Sequence, residues 1–199
     1  MANVNAPNGF TYFGRMDGGS PTMGNTTRKI LSTYNVAIGF GDPVISVASG
    51  YIQRATASTV QIAGMFYGCS YLNTAVGRVV WSPFWPGTAQ GSDATAYINS
   101  DPQSLFLVQT LSTAVVFADI DANINFAIGE PSTVTGISTT SIDQSTIATT
   151  DTLPFRVVGL YSDYETASGA VNGTDNASAY NRIIVAPNFW DRRSLVGIV

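Results

Sequence analysis

From Ile30 onward the chain advances in short apolar runs, each closed by Gly, Pro, Asn or Asp, and this punctuation leaves no room for a long helix. The runs are Val44 to Ala48, Tyr51 to Ala55, Val60 to Tyr67, Arg78 to Trp81, Ala96 to Ile98, Leu105 to Gln109, Val115 to Phe126, Phe155 to Tyr161 and Arg182 to Val185. β-Branched and aromatic residues dominate them, as half-buried pleated surfaces require. In the longest, Ile120, Ala122, Ile124 and Phe126 alternate with Asp119, Asp121, Asn123 and Asn125, which predicts a strand with one polar face. One turn of helix between Arg28 and Tyr34 is the only helical competitor. The expected fold class is all-β: a β-barrel or compact β-sandwich body with an extended N-terminal arm.

The arm is residues 1 to 29, broken by Pro7, Gly9, Gly14, Gly18, Gly19, Pro21 and Gly24. No helical or strand period survives such spacing. It nevertheless carries Phe10, Tyr12 and Phe13, so the arm is expected to become ordered by lying on another surface. Residues 30 to 199 form one all-β, barrel-like domain, since a chain of 199 residues suits a single core of this class. Residues 132 to 152, rich in Ser and Thr, read as an irregular excursion with hairpin character or as an interface loop.

Composition narrows the function. Charged residues make up 11% of the chain and hydrophobic ones 45%, so the surface is wetted by hydroxyls and amides more than by ions. A net charge of −4 and a single lysine, Lys29, offer no patch for a run of phosphates, and nucleic acid is not an expected partner. No apolar run approaches a membrane span, and Met1 to Pro7 lack the regions of a signal peptide, so neither a membrane partner nor secretion is expected. The sequons at Asn25, Asn172 and Asn176 then read as chance in a Thr-rich chain.

There is no histidine, and Cys69 is the single cysteine. His-dependent triads cannot be assembled from one chain, phosphate-cradling motifs are absent, and Cys69 reads as a buried, inert thiol. Asp163 and Glu165, two residues apart, make a poor glycosidase pair because the two carboxylates must flank the sugar. Asp119, Asp121, Asn123, Asn125 and Glu130 follow calcium-loop spacing, but Ile124 stands where that loop bends at glycine, so the polar strand face is preferred. The expectation is a non-enzyme with no cofactor and no metal.

Candidate partner-binding residues come from charge and aromatic placement. Arg15, Arg28 and Lys29 near the start, with Arg192 and Arg193 near the end, make both ends positive around an acidic body, which suits docking on acidic partners. Phe10, Tyr12, Phe13, Trp85 and Trp190 join them. For Trp85, in the Pro-interrupted stretch Trp81-Ser-Pro-Phe-Trp85-Pro86, and for Trp190, two readings stay open: a lid over one end of the core, or an interface anchor.

Several segments taken together resemble a known family: Asn8-Gly9-Phe10, Gly41-Asp42-Pro43-Val44, Gly64 to Tyr71 leading to Trp81, Asp101-Pro102 before Leu105 to Gln109, Asp119 to Asn125, Leu153 to Leu160, and Val185 to Asn188. In order and spacing they are similar to the capsid cement, or decoration, proteins of tailed bacteriophages. The resemblance implies a β-barrel body with an arm, made in the host cytoplasm and carried on the capsid exterior of the virion. Its implied partners are the major capsid protein and further copies of itself in a homotrimer. It implies no catalytic residues. The alternatives are a head-to-tail connector or tail component, and a carbohydrate-binding β-domain that uses Trp81 and Trp85 as a sugar platform.

Overall fold

The computed structural model describes residues 3–20, 25–161 and 175–191. These residues are all-β. The strands are β1 (Thr11–Arg15), β2 (Asn25–Ile30), β3 (Pro43–Ser46), β4 (Tyr51–Arg54), β5 (Gly64–Asn73), β6 (Arg78–Ser82), β7 (Gly91–Asn99), β8 (Ser104–Gln109), β9 (Asn123–Ala127), β10 (Ser141–Ala148), β11 (Phe155–Leu160) and β12 (Arg182–Pro187). Two short 3-10 turns, Ala48–Gly50 and Phe117–Asp119, interrupt the strands.

Five strands close into a barrel in the order β3-β4-β2-β7-β5, with β3 pairing back onto β5 and β6 added to the other end of β5. Such a narrow barrel needs small inward side chains. β7 supplies them: Ala94, Ala96 and Ile98 are buried, while Thr95 and Tyr97 between them are not. Phe66, Cys69, Ile30, Val44 and Ile52 complete the filling.

The remaining strands form a second, antiparallel sheet in the order β1-β8-β12-β11-β9-β10. It packs against the outside of the barrel wall. Phe10, Phe106, Phe126, Phe155, Ile183 and Val185 meet Met65, Ile62 and Ala55 of the barrel side there. A bulge in β5 makes this arrangement possible. The register shifts between Phe66 and Cys69, with Gly68 at φ 129°, so Met65 and Tyr67 face the sheet while Phe66 and Cys69 both face inward.

Of the first 29 residues, the described 3–20 and 25–29 lie on the chain's own body. Phe10 is fully buried, stacked on Phe155 at 4.6 Å between ring centroids and edge-on to Phe106 and Phe126. Its N–H donates to the Gly41 carbonyl at 2.9 Å. Gly9, at φ 68°, permits this approach, because a Cβ there would stand 2.7 Å from that of Ser138. β1 then pairs with β8, and β2 is a wall strand between β4 and β7. The boundary at residue 29 therefore falls inside β2, and that strand replaces the helical turn expected from Arg28.

Two further differences concern the second sheet. The run expected as one strand from Val115 to Phe126 is split by the turn at Phe117–Asp119 and a left-handed Asp121 (φ 70°), leaving β9 alone as strand. Within the Ser/Thr-rich excursion, Ser141–Ala148 is a strand, β10, with Ser141 and Ile142 buried.

Candidate functional site

The structure divides the expected partner-binding residues by burial. Phe10, Trp85 and Trp190 are core residues at 0%, 0% and 5% exposure, which removes them from any docking surface of this fold. Trp85 packs edge-on to Tyr71 and donates Nε1–H to the Tyr34 carbonyl at 3.1 Å. Trp190 is pinned beside Ile62: Phe189 and Asp191 exchange backbone hydrogen bonds with that residue, and the Ser46 hydroxyl donates to the Asp191 carboxylate. Arg192, Arg193, Asp163 and Glu165 lie outside the described residues.

Arg15 is occupied within the chain. It donates to Asp101 at 2.6 Å and to Asp17 at 2.9 Å, and the hydrogen bond from Arg15 holds the Asp17 carboxyl well below the usual range. Tyr12 is half-buried in β1, whereas Phe13 is exposed and edge-on to Tyr161. Arg28 and Lys29 lie in β2 of the barrel wall, Lys29 exposed with Nζ donating to the Thr95 hydroxyl at 2.7 Å.

The calcium-like residues are drawn into other tasks. Glu130 meets Arg54, the Asn123 side-chain oxygen Oδ1 accepts from Arg156 and Asn188, and the Asn125 side-chain amide donates to the Ala57 carbonyl. Asp42 is the hub of the Arg54 network. Fully buried, it takes Arg54 Nε at 3.0 Å, the Gly39 N–H at 2.7 Å, and the hydroxyls of Ser138 and Thr140 at 2.5 and 2.8 Å. Burial pushes its carboxyl up, and Arg54 and these donors pull against that. The arrangement ties the 130–140 segment to the barrel. Cys69 is enclosed in the barrel, its thiol pushed up to about 12 by burial.

One apolar surface lay outside the expected protein-docking residues, although Trp81 belonged to the alternative sugar platform. β6 pairs with β5 on one side only, and the other side of Arg78–Ser82 has no strand partner among the described residues. On its outward face Val79 is 70% and Trp81 63% exposed, with Val76 of the preceding turn at 56%. The β5 bulge causes this. Past Gly68 the outer face of β5 carries Ser70 and Leu72, opposite Trp81 and Val79, and the Trp81 indole lies across Gly68. The signal was legible in Arg78 to Trp81: alternation puts Val79 and Trp81 together on the face opposite the inward-packed Val80.

An open strand edge bearing large apolar groups is a template for another polypeptide, supplying main-chain pairing and side-chain contact together. The chain matches no family model, no curated protein and no solved structure. No helix among the described residues is long and apolar enough to cross a membrane.

Proposed function

We propose that the protein is a virion structural component that works by docking on protein surfaces, binding the outer face of a tailed-phage capsid and cementing neighbouring major capsid protein subunits. In this reading it acts without catalysis, as a homo-oligomer. The observation that carries the docking is the open β6 edge with Val79 and Trp81 exposed on it. Large aromatics that centre a desolvated patch dominate protein interfaces. The capsid as partner comes from the resemblance of the ordered segments between Asn8 and Asn188. A low-charge surface suits close neighbours, because few ions must be desolvated. Many linked contacts on a shell also make modest single affinities sufficient.

The test mixes purified protein with capsids assembled from the same phage's major capsid protein and measures co-sedimentation, copies bound per particle, and heat resistance of the shells. Saturable coating of the whole lattice with stabilised shells supports cementing. Binding limited to the few copies of a single ring supports a connector instead. No capsid binding, with glycan binding that Trp81→Ala abolishes, supports the carbohydrate module; Trp81 is the exposed member of its expected platform and Trp85 is buried.

A further inference from the structure

Among the described residues, β2 has a neighbour on one side only along its first four residues. On one side Asn25 to Lys29 pair with Asn99 to Thr95 of β7. On the other, pairing with β4 is confined to Lys29 with Tyr51 and Ile30 with Ile52. The reason is the β3–β4 hairpin. Its chain doubles back at Ser49 and Gly50, both left-handed (φ 69° and 82°), with the Val47 N–H donating to the Tyr51 carbonyl at 2.9 Å. Asn25 to Arg28 run on past that tip with no strand beside them among the described residues. In an antiparallel ladder alternate residues turn their N–H and C=O away from the paired neighbour, so part of this stretch presents free main-chain groups to the gap.

The gap is a recess of about 270 Å³ lined by Thr27, Arg28, Lys29, Gly50 and Thr95. Its charge is positive. The Arg28 side chain has no ion pair or hydrogen bond among the described residues, and its Nε is buried without an acceptor. A buried N–H left in this state is costly, and a carboxylate entering the recess relieves it with charge-assisted bonds. An adjoining recess of about 250 Å³ contains Asp93, the one acid in either lining.

We propose that this recess binds an extended, acidic polypeptide segment of a partner, which adds as a strand beside Asn25 to Arg28 and sets a carboxylate against Arg28, with Lys29 adding positive charge from the other face of β2. The inference rests on the protein-docking reading and names the chemistry of the segment recognised: main-chain pairing supplies the extended shape, and the two cations select acidic side chains.

The experiment is an NMR titration of the full chain with a short, end-blocked peptide of alternating Val and Glu, run beside the same peptide with Lys for Glu and beside inorganic phosphate. Saturable amide shifts confined to Asn25 to Lys29 and Gly50, given by the acidic peptide alone, are expected. Binding should weaken about tenfold or more in Arg28→Gln, the loss of one charge-assisted contact. It should weaken measurably in Lys29→Gln, an exposed position where folding is not at risk. Equal shifts with the Lys peptide, shifts located elsewhere, an equal response to phosphate, or no saturable response each overturn the proposal. If the acidic peptide fails while the wild-type protein still coats capsids, the recess is not a peptide site and the docking function stands. If the peptide binds and capsids do not, the recess stands and the capsid is removed as its partner.

Discussion

Trp81 and Trp85 stand four residues apart and have opposite surroundings, one open to solvent and one fully enclosed. Trp85→Ala is expected to cost about 3–5 kcal/mol, because it empties a core position and leaves the Tyr34 carbonyl without its donor. Phe10→Ala is expected to cost a similar amount through loss of its three ring contacts. Trp81→Ala should stay within about 0.5 kcal/mol, as exposed positions do. Urea unfolding of the three variants checks all of these; a stable Phe10→Ala would contradict the placement of the N-terminal segment. Asp42→Ala is expected to cost about 3–5 kcal/mol, since it removes the buried carboxylate of Arg54 and leaves only the exposed Glu130 to pair with it. Glu130→Gln, whose carboxylate is exposed, should change stability by no more than about 1 kcal/mol.

Cys69 gives a prediction in pH. Its folded thiol ionises only near 12, against about 8.5 for a free one, so at pH 8 it should resist alkylation in the native protein and react once urea unfolds the chain. The raised folded value also fixes a direction for stability. The contribution of the neutral thiol is complete below the ordinary value and is lost as pH rises from there toward 12, so the fold weakens across that alkaline window by about 1.4 kcal/mol per unit of pH at most. The weakening should be shallower in Cys69→Ala, measured by urea midpoints between about pH 8 and 10.

At the scale of elements, apolar alternation made β4, β7, β8, β11 and β12 legible, since each buries one face. β2 and β10 were not. In Asn25–Ile30 only Ile30 is buried, and Thr26 and Arg28 fill the other inward positions, so no period of two in hydrophobicity marks the strand. β1 is interrupted by a register shift around Gly14, and the glycines and prolines about it spell a loop. Alternation in Arg78 to Trp81 marked the apolar face of β6, but not its open edge, because a sequence does not show which strand ends a sheet. The fate of Trp85 was equally hidden: its burial depends on a bridge to Ile38, and its ring packs against Tyr71 across Gly91. Deleting residues 1 to 29 removes β1, Phe10 and nearly all of β2. Barrel closure then fails, and circular dichroism and amide dispersion should show an unfolded chain. A truncated chain that keeps native dispersion would mean that β2 is dispensable to the wall.

At the scale of the whole molecule, a barrel and a sheet share one wall, and each has its own apolar filling. Asp42 and Arg54 join the 130–140 segment to that body, and the Ser46–Asp191 contact holds the last described residues to β3. Two surfaces of the barrel stand out, the β6 edge and the recess beside β2. They lie on the same barrel: Trp81 is in register with Ser70, Ser70 with Thr95, and Thr95 with Lys29. One outer face thus carries the apolar Trp81 at one end and the cation Lys29 at the other.

The most direct measurement is co-sedimentation of the wild type and of Trp81→Ala with capsids assembled from the same phage's major capsid protein, with melting temperatures recorded beside it. The account predicts saturable coating by the wild type and binding at least about tenfold weaker for Trp81→Ala at unchanged melting temperature, as loss of an interface anchor requires. Equal coating by both proteins would remove the β6 edge as the docking surface, and no coating by either would remove the capsid as its partner.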